Sequence, residues 1–277
     1  MKQNMMDHLF GFYIVFKKEF FMNLKSIRMV ILLLLFTLFI LFSVGVGSVV
    51  MNFDFSDMNG SNIQKGPVII LYFVVQLIGF IGPILGIALA FDVIVKEKIQ
   101  NSLSLLLCRP VQKRTIALGK FCGITAALIL PVGIVNVVAL VMISVISGKH
   151  LEFSQAGIFL VLTIVFLAIY IAIAQCISSI AKTTATAILL GIGIWFTFWL
   201  FIPIITAVIP KDAAVLIHGI ELLNPSTSYS LCMSASLFGG LGVIDTFFPP
   251  WVYYLVLFLF LGGFVILAME LFHRIEA

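Results

Sequence analysis

FDVIVKEKIQNSLSLLLCRPVQKRTIALGKF, running from Phe91 to Phe121, breaks a chain that is otherwise almost wholly apolar. It carries Asp92, Lys96, Glu97, Lys98, Arg109, Lys113, Arg114 and Lys120. Inside this charged frame Ile99, Leu103, Leu106 and Leu107 fall at i, i+4, i+7 and i+8, a spacing that sets four apolar side chains on one side of a helix. Pro110 ends that helix after Arg109, because it lacks an N–H and disfavours helical geometry at the residue before it. A second start at Val111–Thr115 leads straight into the next apolar segment. The stretch reads as a loop over 92–120 with a short helix at its centre, a knob that something outside the membrane can grip.

Working outward, hydrophobic residues make up 62% of the chain and charged residues 10%, with a mean hydropathy of +1.23. A soluble domain carries about 25% charged residues. The class is therefore an all-α polytopic membrane protein. The net charge of +4 comes with no basic stripe of interleaved aromatics, so nucleic acid is not an expected partner. The four cysteines (Cys108, Cys122, Cys176, Cys232) lack CxxC spacing, which argues against zinc and against a redox pair. Cys232 alone falls on the outer side, where it has no disulfide partner. No cofactor or metal is expected.

Residues 1–28 form a basic, aromatic-rich arm. Leu9, Phe12, Phe16, Phe20 and Leu24 can share one helical face, with Asp7, Gly11, Lys18 and Lys25 towards the other and Ile14 intruding on the polar side. The preferred reading is an interfacial helix whose lysines reach towards lipid head groups. The other is an extension of the first span. Residues 29–277 then form a single transmembrane domain of six helices, each with the ~20 apolar residues needed to cross the hydrocarbon core. The expected spans are Met29–Met51, Pro67–Phe91, Phe121–Ser147, Phe153–Ile180, Thr183–Ile209 and Phe247–Leu271. The first is too long for a signal-peptide core and ends at no small-x-small site, so it is expected to stay as an anchor.

Lysine and arginine set the orientation. With both termini in the cytoplasm, thirteen bases (residues 2, 17, 18, 25, 28, 96, 98, 109, 113, 114, 120, 182 and 274) lie inside, and Lys65, Lys149 and Lys211 lie outside. The outer loop over 210–246 is too apolar for a free linker. It is expected to form a short helix at Ala213–Leu223, broken at Asn224-Pro225-Ser226, and to fold over the outer ends of the spans as a cap or gate. Asn59-Gly60-Ser61, formally a glycosylation acceptor, reads as turn chemistry.

No ionisable residue is expected deep in a span. This disfavours a carrier driven by an ion gradient, since such groups mark ion and proton pathways. HExxH, GxSxG and P-loop motifs are missing, and Gly119-Lys120 lacks both the upstream glycine and the following Ser or Thr. The chain therefore reads as a non-enzyme, and uphill transport would draw energy from another chain. Gly82 and Gly86 form a small-xxx-small pair suited to close helix approach, while Pro131 and Pro203 are placed to kink their spans. Gln76, Asn136 and Gln175 are uncharged polar groups that either line a path or join helices.

Glu97, Ser102-Leu103, Leu106-Leu107, Arg109-Pro110-Val111, Arg114 and Leu118-Gly119-Lys120 together resemble the loop of ABC-2 type transporter permeases. The resemblance extends to the basic arm, the six spans and the Asn-Pro-Ser-x-x-Tyr run at Asn224–Tyr229. Asn101-Ser102, Ser104 and Gln112 depart from the family pattern, which has Gly-Thr, a frequent Glu and a Ser or Thr there. What the resemblance implies is an exporter-like permease of the plasma membrane that pairs with a second permease, identical or different, and docks cytoplasmic ATPase subunits. It also implies that Glu97, Leu103, Leu106, Leu107, Arg109, Pro110, Arg114 and Lys120 form the coupling site. Each base there also has a topological reading, and the leucines could instead pack on the N-terminal helix. For Glu97, an acid that does little for topology, a salt bridge to a partner or within the chain is expected. Similar permeases serve lipid-like compounds, peptides, drugs and nitrous-oxide-reductase maturation. The competing classes are a membrane scaffold that recruits a cytoplasmic protein and a secondary transporter.

Overall fold

The computed structural model describes residues 2–51, 65–100, 112–149, 151–210, 213–238 and 247–274. Helix α1 (Lys2–Leu24) is separated from α2 (Ile27–Met51) by a turn at Lys25 and Ser26. Beside that break Asn23 Nδ2 donates to the carbonyl of Glu19 at 2.8 Å. The arm is thus a helix of its own and not a continuation of the first span. Then come α3 (Lys65–Ala90), the short α4 (Val95–Ile99), α5 (Lys113–Ser147) and α6 (Phe153–Ile180). The chain continues through α7 (Thr184–Val208), α8 (Ala214–Glu221), α9 (Pro225–Met233) and α10 (Pro250–His273).

Six of the described helices are long and apolar enough to cross a membrane. Helices serve because every backbone N–H and C=O can be bonded within the segment, where no water is available. Helix α6 is the axis: from Phe166 to Ser179 its side chains are buried all round, as expected of a helix that is apolar on every face. Helix α7 lies at the periphery, with 6% of its apolar stretch buried against 61% for α6. Helix α5 starts at Lys113, within the start expected at Val111–Thr115, and carries the basic residues ahead of Phe121 inside the helix. Gln112 precedes it without a side-chain capping bond.

Glycines set two of the close approaches. A Cβ on Gly82 would stand 2.8 Å from Phe166, and one on Gly86 would stand 2.9 Å from the Cβ of Tyr170, so α3 lies directly on α6. On α5, a Cβ on Gly119 would stand 3.1 Å from Val15, and one on Gly123 would stand 2.9 Å from the carbonyl oxygen of Phe16. The second pair lets α1 settle into α5. Phe12, Phe16 and Phe20 stack along α1 at centroid spacings of 6.2 and 6.0 Å beside this contact.

The segment expected to lie over the outer ends enters the bundle. Helix α7 widens into a π turn at Thr197–Phe201, just ahead of Pro203. In that i→i+5 register the carbonyl of Phe198 faces Pro203, which has no N–H to give. Asn224 Nδ2 supplies the missing donor at 3.0 Å, while Asn224 Oδ1 accepts from Ser226 N and caps α9. Helix α9 then packs along the middle of α6. Tyr229, fully buried, stacks on Phe166 at 4.4 Å and donates to Thr163 Oγ1 at 2.9 Å, since that hydroxyl already donates to Phe159 O. Tyr170 and Ser226 hydroxyls meet at 2.9 Å. Thr163 is ten residues into α6, about 15 Å at 1.5 Å per residue. Cys232, expected in an outer loop, is buried here, and Cys122, Cys176 and Cys232 are free thiols.

The fit of α1 into α5 is open to a paired test. Gly123→Leu is expected to destabilise the protein by about 1–3 kcal/mol through overpacking, lowering the melting temperature in detergent. Gly133→Leu, one of the positions where an added Cβ meets open space, serves as the control and should leave it unchanged. Equal melting of the two variants would show that α1 is not seated there.

Candidate functional site

The charged loop leaves α3 at Phe91 and is fastened at once. Arg28 clasps Asp92 through two bonds of 2.9 and 2.8 Å, and its guanidinium lies 5.0 Å over the Phe91 ring. A planar fork meeting a carboxylate edge-on is stronger and more directional than a single bond. Ser178 of α6 accepts from the N–H groups of Ile94 and Val95 at 2.9 and 3.0 Å. It caps α4 from another helix, a task normally met from within the same segment. Lys98 donates to the carbonyl of Ser179 next door. The root of the loop is therefore tied both to α2 and to the end of the central helix.

Beneath this root lies a buried ion triad. Lys120 Nζ is 2.8 Å from Glu19 Oε1 on α1 and 2.8 Å from Glu97 Oε1 on α4. The Lys120 and Glu19 side chains are 1% and 2% exposed, and that of Glu97 is 12% exposed. Lys18 reaches Glu97 from the surface at 3.4 Å, and Lys120 adds a bond to Val93 O at 3.4 Å. Two lysines thus face two carboxylates, and the cluster carries no net charge. Desolvating each ion costs several kcal/mol, recovered only while every partner stays in place. The closeness of α1 to α5 at Gly119 and Gly123 brings Glu19 to Lys120.

A looser ring surrounds this core. Arg114 pairs with Glu270 at 2.9 Å, and Arg274 lies 3.4 Å from the same carboxylate, so the start of α5 meets the end of α10. All three groups are substantially exposed, and such pairs contribute little each.

Of the residues expected to couple to a partner, Glu97 and Lys120 turn inward onto each other and Arg114 engages Glu270. Lys120 is 1% exposed, its ammonium enclosed by two carboxylates. Leu103, Leu106, Leu107, Arg109 and Pro110 lie outside the described residues. Gly82 and Gly86 pack α3 on α6, and Gln175 Nε2 donates to Ala117 O at 2.9 Å. Asn136 is buried, and its Oδ1 finds no hydrogen-bond partner among the described residues. Gln76 is exposed midway along α3. Sequence reasoning missed Glu19, Ser178 and Glu270. Glu19 was readable in principle, at i+4 from Val15 on the stripe that meets Gly119 and Gly123.

Residues 13–277 match the family model described as "ABC-2 family transporter protein". The chain belongs to the ABC-2 transporter family. The match takes in Glu19, Asp92, Glu97 and Lys120 alike. Among curated relatives, a protein of Stutzerimonas stutzeri named "Probable ABC transporter permease protein NosY" is 29% identical over 215 residues, covering 72% of this chain and 78% of its own length. A protein of the same name from Pseudomonas aeruginosa (strain PAO1) is 26% identical over 214 residues, with the same coverage. The chain is thus a non-enzymatic membrane permease subunit of a family whose permeases generally work with cytoplasmic ATPase subunits.

The triad makes a signed prediction for this permease. Lys120→Met strands Glu19 and Glu97 and should cost about 3–5 kcal/mol of stability. Adding Glu19→Gln and Glu97→Gln to it should recover most of that loss. Both effects can be followed by thermal unfolding in detergent, and a Lys120→Met protein as stable as the wild type would contradict the assignment.

Proposed function

We propose that this permease is the membrane half of an ABC exporter, driven by separate ATPase subunits that dock on the 92–120 loop. The supporting observation is that the root of this loop shares one buried ion triad with α1 and α5. A push on the loop cannot separate these three elements without exposing unpaired charge to a poorly solvated interior, so it moves them together. Glu97 and Lys120 act from within, as the lock that holds the loop. Leu103, Leu106 and Leu107, with Arg109 and Pro110, form the knob that enters a groove on the ATPase.

In this reading both termini lie in the cytoplasm, in accord with thirteen bases at that end against three at the other. Helix α1 lies along the inner leaflet. Its exposed Phe10, Tyr13 and Phe21 lie among lysines, and Lys17 and, in the following turn, Lys25 each sit 6.0 Å over a ring of α1. The peripheral α7 and the exposed strip of α3 receive a second permease, identical or related. Gln76 marks that face, since a carboxamide in mid-membrane is costly against lipid, and it lines the path between the two copies. Nearby, Phe80 meets Trp195 and Trp199 of α7 at 5.4 and 5.5 Å.

The test is retention of the ATPase. Burying a leucine contributes about 1.5–3 kcal/mol, so Leu103→Asp with Leu106→Asp should weaken docking at least about tenfold. Co-purification should fail while the melting temperature of the isolated permease holds. Full co-purification, or collapse of the isolated permease, would make this helix structural filling and sink the docking assignment. With the cognate ATPase in vesicles, transport should follow ATP and survive loss of the proton gradient. Gradient-driven transport by the permease alone would refute the energy source.

A further inference from the structure

At the basic end a chamber of about 440 Å³ opens between α1, the α1–α2 joint and α4. We propose that it holds the phosphodiester head group of an anionic phospholipid, with one acyl chain laid along α2. The proposal goes beyond ATPase docking and does not depend on it.

The lining has two layers. The floor is acidic but already neutralised: Asp92 and Glu97 are 14% and 12% exposed and are held by Arg28 and Lys120. The rim is cationic, with Lys18 and Arg28 at 51% and 39% exposure and Lys96 exposed. Lys96 makes no ion pair among the described residues. Set Lys18, Arg28, Lys96 and Lys120 against Glu19, Asp92 and Glu97, and one positive charge remains, on the rim. Ser26 and Gln100 add uncharged hydrogen-bonding side chains for head-group hydroxyls. The volume falls in the range of small-ligand pockets, about 300–1,000 Å³. Cationic side chains beside transmembrane helices attract anionic head groups.

Position selects a lipid over a soluble anion. Arg28 is the second residue of the first span and Asp92 follows the end of α3, so the chamber lies where hydrocarbon gives way to head groups. Directly in line with Arg28, at i+3, i+7, i+10 and i+14, Ile31, Leu35, Leu38 and Phe42 form one exposed apolar stripe. From Arg28 to Phe42 is about 21 Å at 1.5 Å per residue, more than the depth of one leaflet, about half of a 30 Å core. A phosphate on the rim therefore has a track for its chain immediately beneath it.

The full-length permease, purified in detergent without ATPase, can be titrated with phosphatidylglycerol and with phosphatidylcholine, and bound lipid counted by native mass spectrometry. Phosphatidylglycerol should bind in preference. One juxtamembrane cation contributes about fivefold to the affinity for anionic lipid. Lys96→Gln should therefore bind about fivefold more weakly, with its lipid-free melting temperature unchanged. Lys96→Arg should bind as the wild type does, and so should Lys149→Gln, which removes a cation at the opposite end. Equal binding by wild type and Lys96→Gln, or equal binding of the two lipids, would overturn the site. Displacement of phosphatidylglycerol by soluble glycerol phosphate would overturn it in favour of a free phosphate ligand.

Discussion

Charge buried without water must keep its partner, and in this permease that constraint is concentrated at Lys120. The ammonium sits between Glu19 and Glu97, each at 2.8 Å, on two elements that the chain separates widely. With Lys18 the cluster holds two cations and two carboxylates, so neither carboxylate can withdraw without leaving an uncompensated cation, a penalty of several kcal/mol. The N-terminal helix, the root of the charged loop and the third span therefore hold one another in register. Packing makes this possible: Gly119 and Gly123 bring the backbone of α1 close enough for Glu19 to reach. Small residues and buried charge act together here. Glycines alone would permit the contact, and the ions fix which contact it is.

The other half of the molecule follows the same rule with neutral groups. Pro203 removes a donor from α7, the π turn turns the carbonyl of Phe198 towards it, and Asn224 satisfies that carbonyl. The requirement that backbone groups be paired inside a bilayer thus positions the turn between α8 and α9. Tyr229, Thr163, Tyr170 and Ser226 continue it as a set of hydroxyls joined pairwise against α6. Polar side chains in this bundle act mainly as fasteners between helices, at the Ser178 cap as well as at Asn224.

The spans were readable because bilayer thickness imposes a length that composition must satisfy. Phe153–Ile180 emerges unchanged and the others shift by a few residues. Helix α5 begins within the start read at Val111–Thr115 and extends ahead of the expected span, because the helix continues through Lys113, Arg114 and Lys120. The inward turn of Glu97 agrees with the idea that an acid in the loop needs a salt bridge, but its partner could not be named from spacing. Glu19 and Lys120 meet across 101 residues, and helical periodicity speaks only to neighbours within a few turns. The loop over 210–246 was legible as too apolar for a linker. Its depth was not, because that depends on a carbonyl freed in a different helix.

The central claim is that α1 and the loop root behave as one body when the ATPase works. Spin labels at Tyr13 on α1 and Ile99 on α4, both exposed, report this directly by pulsed electron paramagnetic resonance on the permease–ATPase complex. The account predicts one narrow distance distribution that is the same with and without ATP. A shift or a split of that distribution on adding ATP would contradict it, since the triad would then be opening during the cycle.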